Sequence, residues 1–196
     1  MVLTFSRDQS KLEQTAADVG GTAAADPAEA VAGAEVVVFS VPWRVVDEAL
    51  EQVGSLDGKI VIDTTNQYGA DGWIEFPNGE TAAHHNAARM PGARYTKSFN
   101  TLTAGFQAEV ADRQGDERVV QWVCGDDAEA SAIVCGLIEE AGYVAVDLGG
   151  TDTCQVMEAP RRPGAVYGEE YRAADAQAVV DAVRAGGEIP PTPSYS

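Results

Sequence analysis

Positive charge, histidine and cysteine are all scarce in this chain of 196 residues. Thirteen Lys and Arg face 31 Asp and Glu, a net charge of −18. Lys11, Lys59 and Lys97 are the only lysines. A field of that sign repels nucleic acid and anionic membranes, so neither is an expected partner. The carboxylates are spread along the chain, which suits a salt-rich cytoplasm and an ordinary acidic bacterial protein equally. His84 and His85 are the only histidines. Adjacent helical side chains diverge by about 100°, a poor two-ligand arrangement, so no metal is expected. Cys124, Cys135 and Cys154 have no zinc-site spacing, and their odd number argues against a full disulfide framework. Cys124 and Cys135 lie in apolar runs and read as reduced core residues. No apolar run approaches the ~20 residues that span a bilayer, and no basic segment leads into an apolar one at the N-terminus. A soluble, cytoplasmic protein is the expectation.

What is present alternates. Apolar runs bounded by turn signals alternate with helical patterns, the mark of a parallel sheet with helices on its faces. Val2–Ser6, Glu35–Pro42, Lys59–Thr65, Arg94–Phe99, Val119–Cys124 and Tyr143–Leu148 read as strands, with Thr22–Ala24 as a short edge strand. Ser10–Val19, Pro27–Ala32, Arg44–Val53, Thr81–Met90, Thr103–Arg113, Asp127–Ala141 and Glu169–Ala185 read as helices, and Gly69–Gly79 as a hairpin or excursion. The expected fold is an α/β, Rossmann-like parallel sheet missing its first βα unit, with a small α/β C-terminal part. Residues 1–100 form the dinucleotide-binding region, 101–188 the substrate side and 189–196 a Pro-rich flexible tail.

In such sheets ligands bind outside the carboxyl ends of the strands. Four ends carry unusual residues: Ser6-Arg7, Ser40-Val41-Pro42-Trp43, Asp63-Thr64-Thr65-Asn66 and Ser98-Phe99-Asn100-Thr101. Ser6 and Arg7, with Lys11 four residues on, suit the 2′-phosphate of NADP, because a planar guanidinium fork beside an ammonium matches a charge near −2. A solvated strand end would look the same. Pro42-Trp43 suits packing on a flat ring, and equally a turn with a core-edge Trp. No Ser-His-Asp set, phosphate-binding P-loop or Glu-His metal motif occurs. Hydride transfer between two bound rings needs none of these, since the cofactor supplies the chemistry and the protein supplies orientation.

Taken in order, Ser6-Arg7…Lys11, Val36–Trp43 (VVVFSVPW), Lys59–Asn66 (KIVIDTTN), Lys97–Thr101 (KSFNT), Cys124–Asp127 (CGDD) and Asp147–Gly149 (DLG) resemble the coenzyme F420-dependent NADP oxidoreductases. The related oxidoreductase domain of the six-transmembrane epithelial metalloreductases carries the same arrangement. The resemblance covers roughly residues 2–170. Family members begin with a strand and a Gly-rich loop that have no counterpart in residues 1–196. The resemblance implies that Ser6, Arg7 and Lys11 hold the 2′-phosphate. It implies that Val41, Pro42 and Trp43 line the path to the nicotinamide, and that Thr65 and Asn66 lie near its ribose. Thr103 and Ala104 would approach the nicotinamide ring, while Asn100 and Thr101 would line the second substrate. No side chain is expected to act as a catalytic acid or base.

The implied function is hydride transfer between NADP(H) and coenzyme F420 or a flavin-like acceptor. Partners would be small-molecule cofactors, with a homodimer left open. Two other readings compete: a reductase of imines or hydroxy acids, whose usual all-helical second domain fits the mixed residues after Asn100 poorly, and a non-catalytic, degenerate Rossmann protein that has lost its cofactor.

Overall fold

A computed structural model describes residues 1–6 and 8–195. Arg7, a candidate phosphate ligand, lies outside the described residues.

The chain opens with β1 (Val2–Leu3), α1 (Gln9–Asp18) and β2 (Thr22–Ala23). The Asp8 carboxylate caps α1 by accepting from the Lys11 amide at 3.1 Å, which satisfies a helix donor that has no partner within the helix. β1 and β2 pair in parallel, Val2 opposite Thr22 and Leu3 opposite Ala23. Then come α2 (Pro27–Ala32), β3 (Val36–Phe39), α3 (Val46–Val53) and β4 (Ile60–Asp63). A hairpin of β5 (Tyr68–Gly69) and β6 (Gly72–Trp73) precedes α4 (Ala82–Arg89) and β7 (Arg94–Lys97). The remainder is α5 (Ala104–Val110), β8 (Val120–Gly125), α6 (Ala128–Glu140), β9 (Val144–Asp147) and α7 (Ala173–Ala185).

Five strands form the central sheet in the order β3-β4-β7-β8-β9. β3, β4 and β7 run parallel, as do β8 and β9. β7 and β8 are antiparallel, touching where Thr96 faces Gly125 and Lys97 faces Cys124. The sheet is therefore mostly parallel, not wholly so. Gly125 is required at that contact, because a Cβ there would sit 2.8 Å from the Tyr95 carbonyl oxygen. The β1–β2 pair is separate from this sheet. Among the described residues no strand bonds the outer edge of β3, where Val38 is 61% exposed.

β4 is buried along its whole length, as a strand covered on both faces must be. Its side chains alternate between two cores, as the two-residue period of a strand dictates. Val61 joins Trp43, Val46, Trp122, Met157 and Val179, whereas Ile60 and Ile62 join Val110, Val123, Val134 and Ile138. The first core draws residues from Val31 to Ile189, so both sides of residue 100 contribute to one interior.

Cys124 and Cys154 form a disulfide with a Cα–Cα separation of 5.8 Å, both residues buried. This corrects the expectation of a reduced Cys124. Its partner lies 30 residues on in an irregular segment, where no local pattern marks it. The bridge ties the 3-10 turn Thr151–Met157 to β8. Cys135 remains free, its thiol pushed up to about 11 by partial burial and by Asp147 and Glu139. That disfavours the reactive thiolate.

Candidate functional site

The carboxyl ends of β3, β4 and β7 open into one cavity of about 1190 Å³. Chain geometry brings them together because the three strands are parallel neighbours in register. Val41, Pro42, Trp43, Thr65, Asn66, Asn100, Thr101 and Thr103 all line it. Ser6, Lys11 and Ala104 are not among its lining residues. Ser6 and Lys11 lie exposed beyond β1 and in α1, and Ala104 opens α5. The Ser6 hydroxyl bonds the backbone of Asp8, donating to its carbonyl at 3.1 Å.

A buried polar network fixes the β4 end. Asp63, Lys97 and Asn86 have no solvent exposure. Asp63 Oδ1 accepts from the Thr65 amide at 2.8 Å, Lys97 Nζ donates to the Thr65 carbonyl at 2.8 Å, and Asn86 Nδ2 donates to the Thr65 hydroxyl at 3.0 Å. All three polar groups of Thr65 are thus held by buried side chains. Asp63 Oδ2 also accepts from the Tyr95 hydroxyl at 2.6 Å and from Asn86 at 2.8 Å. Burial and the Asp63 charge push the Tyr95 phenol well above its ordinary value, so it stays a donor. Glu158 approaches Lys97 to 4.0 Å and accepts from the Ala82 and Ala83 amides at 2.8 Å, capping α4 from a distant segment.

Asn66 and Asn100 bond reciprocally. Asn66 Nδ2 donates to the Asn100 carbonyl at 2.9 Å, and Asn100 Nδ2 donates to Asn66 Oδ1 at 3.1 Å and to the Met157 carbonyl at 2.7 Å. With its amide protons committed, Asn100 Oδ1 is left as a buried acceptor without a partner, as is the Thr101 hydroxyl. Buried polar atoms are normally satisfied, so these two orphans mark an unusual polar spot beneath the cavity wall. Immediately before them, Phe99 takes a φ of 57°, a conformation that costs a bulky residue energy and redirects the chain at the strand end. The Thr103 hydroxyl caps α5 by accepting from the Phe106 amide at 3.3 Å, a structural duty beside its place in the lining. Trp43 has one as well: it packs against Phe76 at 5.9 Å between ring centres and lies under the Arg89 guanidinium at 5.2 Å.

The far wall was not legible as a site. It comprises Tyr68 and Gly69 from the hairpin, Arg161, Tyr167–Glu170, and Thr192, Pro193 and Tyr195 from the C-terminal segment. No strand-end pattern points to these residues. The network behind Thr65 was half visible: Lys97 is one of three lysines in a strongly acidic chain, yet it stands inside a strand. Neither histidine lines the cavity. His84 takes part in the cap of α4 with Thr81 and lies 3.0 Å from Asp152. His85 stacks on Phe76 with ring centres 3.9 Å apart.

Residues 1–67 match the family of NADP oxidoreductases, coenzyme F420-dependent. Among solved structures, a hypothetical protein from Sinorhizobium meliloti aligns at 24% identity with a TM-score of 0.76, over 87% of this chain and 82% of its own. A "putative F420-dependent NADP-reductase" from Arthrobacter sp. FB24 aligns at 26% identity with a TM-score of 0.64, over 78% of this chain and 76% of its own. A reductive aminase from Aspergillus terreus, solved with NADPH and ethyl-5-oxohexanoate, shares the fold at 21% identity and a TM-score of 0.55. This chain spans 47% of that longer protein.

Proposed function

We propose that this chain, whose residues 1–67 match the NADP oxidoreductases, coenzyme F420-dependent, passes hydride between NADP(H) and a deazaflavin or flavin acceptor in the cavity at the β3, β4 and β7 ends. The observation that carries this reading is the convergence of eight candidate residues from three strand ends on one cavity.

The residues present suit the cofactor. Ser6, Arg7 and Lys11 take the 2′-phosphate, and charge-assisted bonds from Arg and Lys favour it over a plain ribose. Val41, Pro42 and Trp43 give the nicotinamide half an apolar flank, with Thr65 and Asn66 at its ribose. Bound NADPH supplies the hydride. The chain supplies rigidity, because Thr65 arrives already held at three points and Asn66 is locked to Asn100. Preorganised placement of two reactants is worth effective molarities on the order of 10⁵ M or more without any acid or base.

The test follows NADPH absorbance with coenzyme F420, and separately with FMN, as acceptor. Oxidation with either supports the reading. Tight NADPH binding with reduction of neither overturns the acceptor class and favours the non-catalytic reading.

A further inference from the structure

The far wall of the cavity includes a Pro-rich strap, part of the segment expected from the sequence to be a flexible tail. The segment from Ile189 to Tyr195 contains Pro190, Pro191 and Pro193, each of which fixes its own backbone φ. It is anchored at both ends. Ile189 is 5% exposed and belongs to the larger core. At the other end the Tyr195 hydroxyl donates to Asp175 at 2.6 Å and accepts from the Arg172 amide at 2.9 Å. The Arg172 guanidinium lies over the Tyr195 ring, 4.2 Å from its centre. Burial and the Asp175 contact push this phenol up to about 12, so it stays a neutral donor through the physiological range. Between the anchors, Thr192, Pro193 and Tyr195 line the same cavity as Pro42, Trp43, Asn66 and Asn100.

We infer that this strap sets the space left for the second substrate, with Thr192 and Tyr195 as specificity-determining residues on the side away from the nucleotide. The inference rests on the proposed placement of NADP(H) at the strand ends. Two features favour the acceptor side. Ser6 and Lys11 are not among the residues that line the cavity with the strap, and its companions in the wall, Arg161 and Tyr167–Glu170, come from the C-terminal part of the chain. A wall pinned at both ends and stiffened by prolines discriminates by shape, since it cannot yield cheaply to a bulkier ligand.

Thr192 is exposed but its side chain adjoins the buried Tyr171 hydroxyl, so thermal unfolding is the control for enlarging it. Binding of NADPH, coenzyme F420 and FMN is measured by calorimetry on the full chain and on Thr192→Trp, Tyr195→Ala and Tyr195→Phe. The expected result is at least a tenfold loss of affinity for the acceptor probe in Thr192→Trp, with NADPH unchanged within twofold. Tyr195→Phe, which keeps the ring and loses the hydroxyl bonds, should lie between the parent and Tyr195→Ala. Equal weakening of NADPH and acceptor, unchanged acceptor affinity in Thr192→Trp, or no binding of either acceptor by the parent chain would each overturn the strap as an acceptor wall. Failure of the parent to bind NADPH while an acceptor probe still responds to Thr192→Trp contradicts the nucleotide placement instead.

Discussion

The Lys97 ammonium, with no solvent exposure, donates to the Thr65 carbonyl oxygen at 2.8 Å and stands 3.4 Å from the Asp63 carboxylate. One buried cation thus holds the backbone of a cavity residue and offsets a buried anion. Removing one member of such a pair leaves an uncompensated charge, which costs about 3–5 kcal/mol. Lys97→Met should lower the denaturation free energy by that amount. A loss below about 1 kcal/mol would show that Asp63 does not depend on Lys97.

Glu158 and Met157 reach the site on a turn that the Cys124–Cys154 bridge ties to β8. Closing a loop of 30 residues stabilises a fold by about 3–4 kcal/mol in the chain-entropy account. Reduction with a dithiol, or Cys154→Ala, should therefore lower the denaturant midpoint clearly. Because the same turn presents the Met157 carbonyl to Asn100, NADPH affinity should fall with it. Identical midpoints with and without reductant would contradict the bridge.

Acid should weaken the fold in part through Asp127. Its carboxylate takes two bonds from Arg94, at 2.6 and 3.0 Å, and two from the α6 amides, which hold its pKa below the ordinary 3.8. A depressed folded value means the stabilisation is complete above the ordinary value and fades as pH falls through the folded one. Asp127→Asn should thus be less stable than the parent near pH 6, and the gap should narrow below about 3.8. A gap that does not change with pH would assign the effect to helix capping alone.

His84→Ala and His85→Ala should leave turnover nearly unchanged, since neither ring lines the cavity. Thr103→Trp should lower turnover sharply by filling space at the β7 end, with thermal unfolding as the control for its cap on α5. Loss of turnover in either histidine variant at normal stability would contradict a transfer that needs no histidine.

β3 and β4 were legible because each is built on a continuous apolar run, as strands of parallel sheets are. Val36–Phe39 and Ile60–Asp63 form as read. The antiparallel approach of β8 to β7 was not legible, because strand direction is set by how the chain returns after α5 rather than by residues in either strand. The strand ends were readable as candidate positions because each is a polar break after an apolar run. What holds them was less so. Asn86, on a helix 21 residues beyond Thr65, and Glu158, another 72 on, enter the site only through tertiary packing. The pairing of Cys154 with Cys124 and the place of Tyr195 in the wall were not legible for the same reason.

The central claim is selective recognition of NADP(H), and titration of the full chain with NADPH and NADH, in parallel with Arg7→Ala, tests it most directly. The account predicts that NADPH binds at least tenfold tighter than NADH and that Arg7→Ala removes most of that difference while leaving NADH nearly unchanged. Equal affinity for the two dinucleotides, or an equal loss of both in Arg7→Ala, would contradict it.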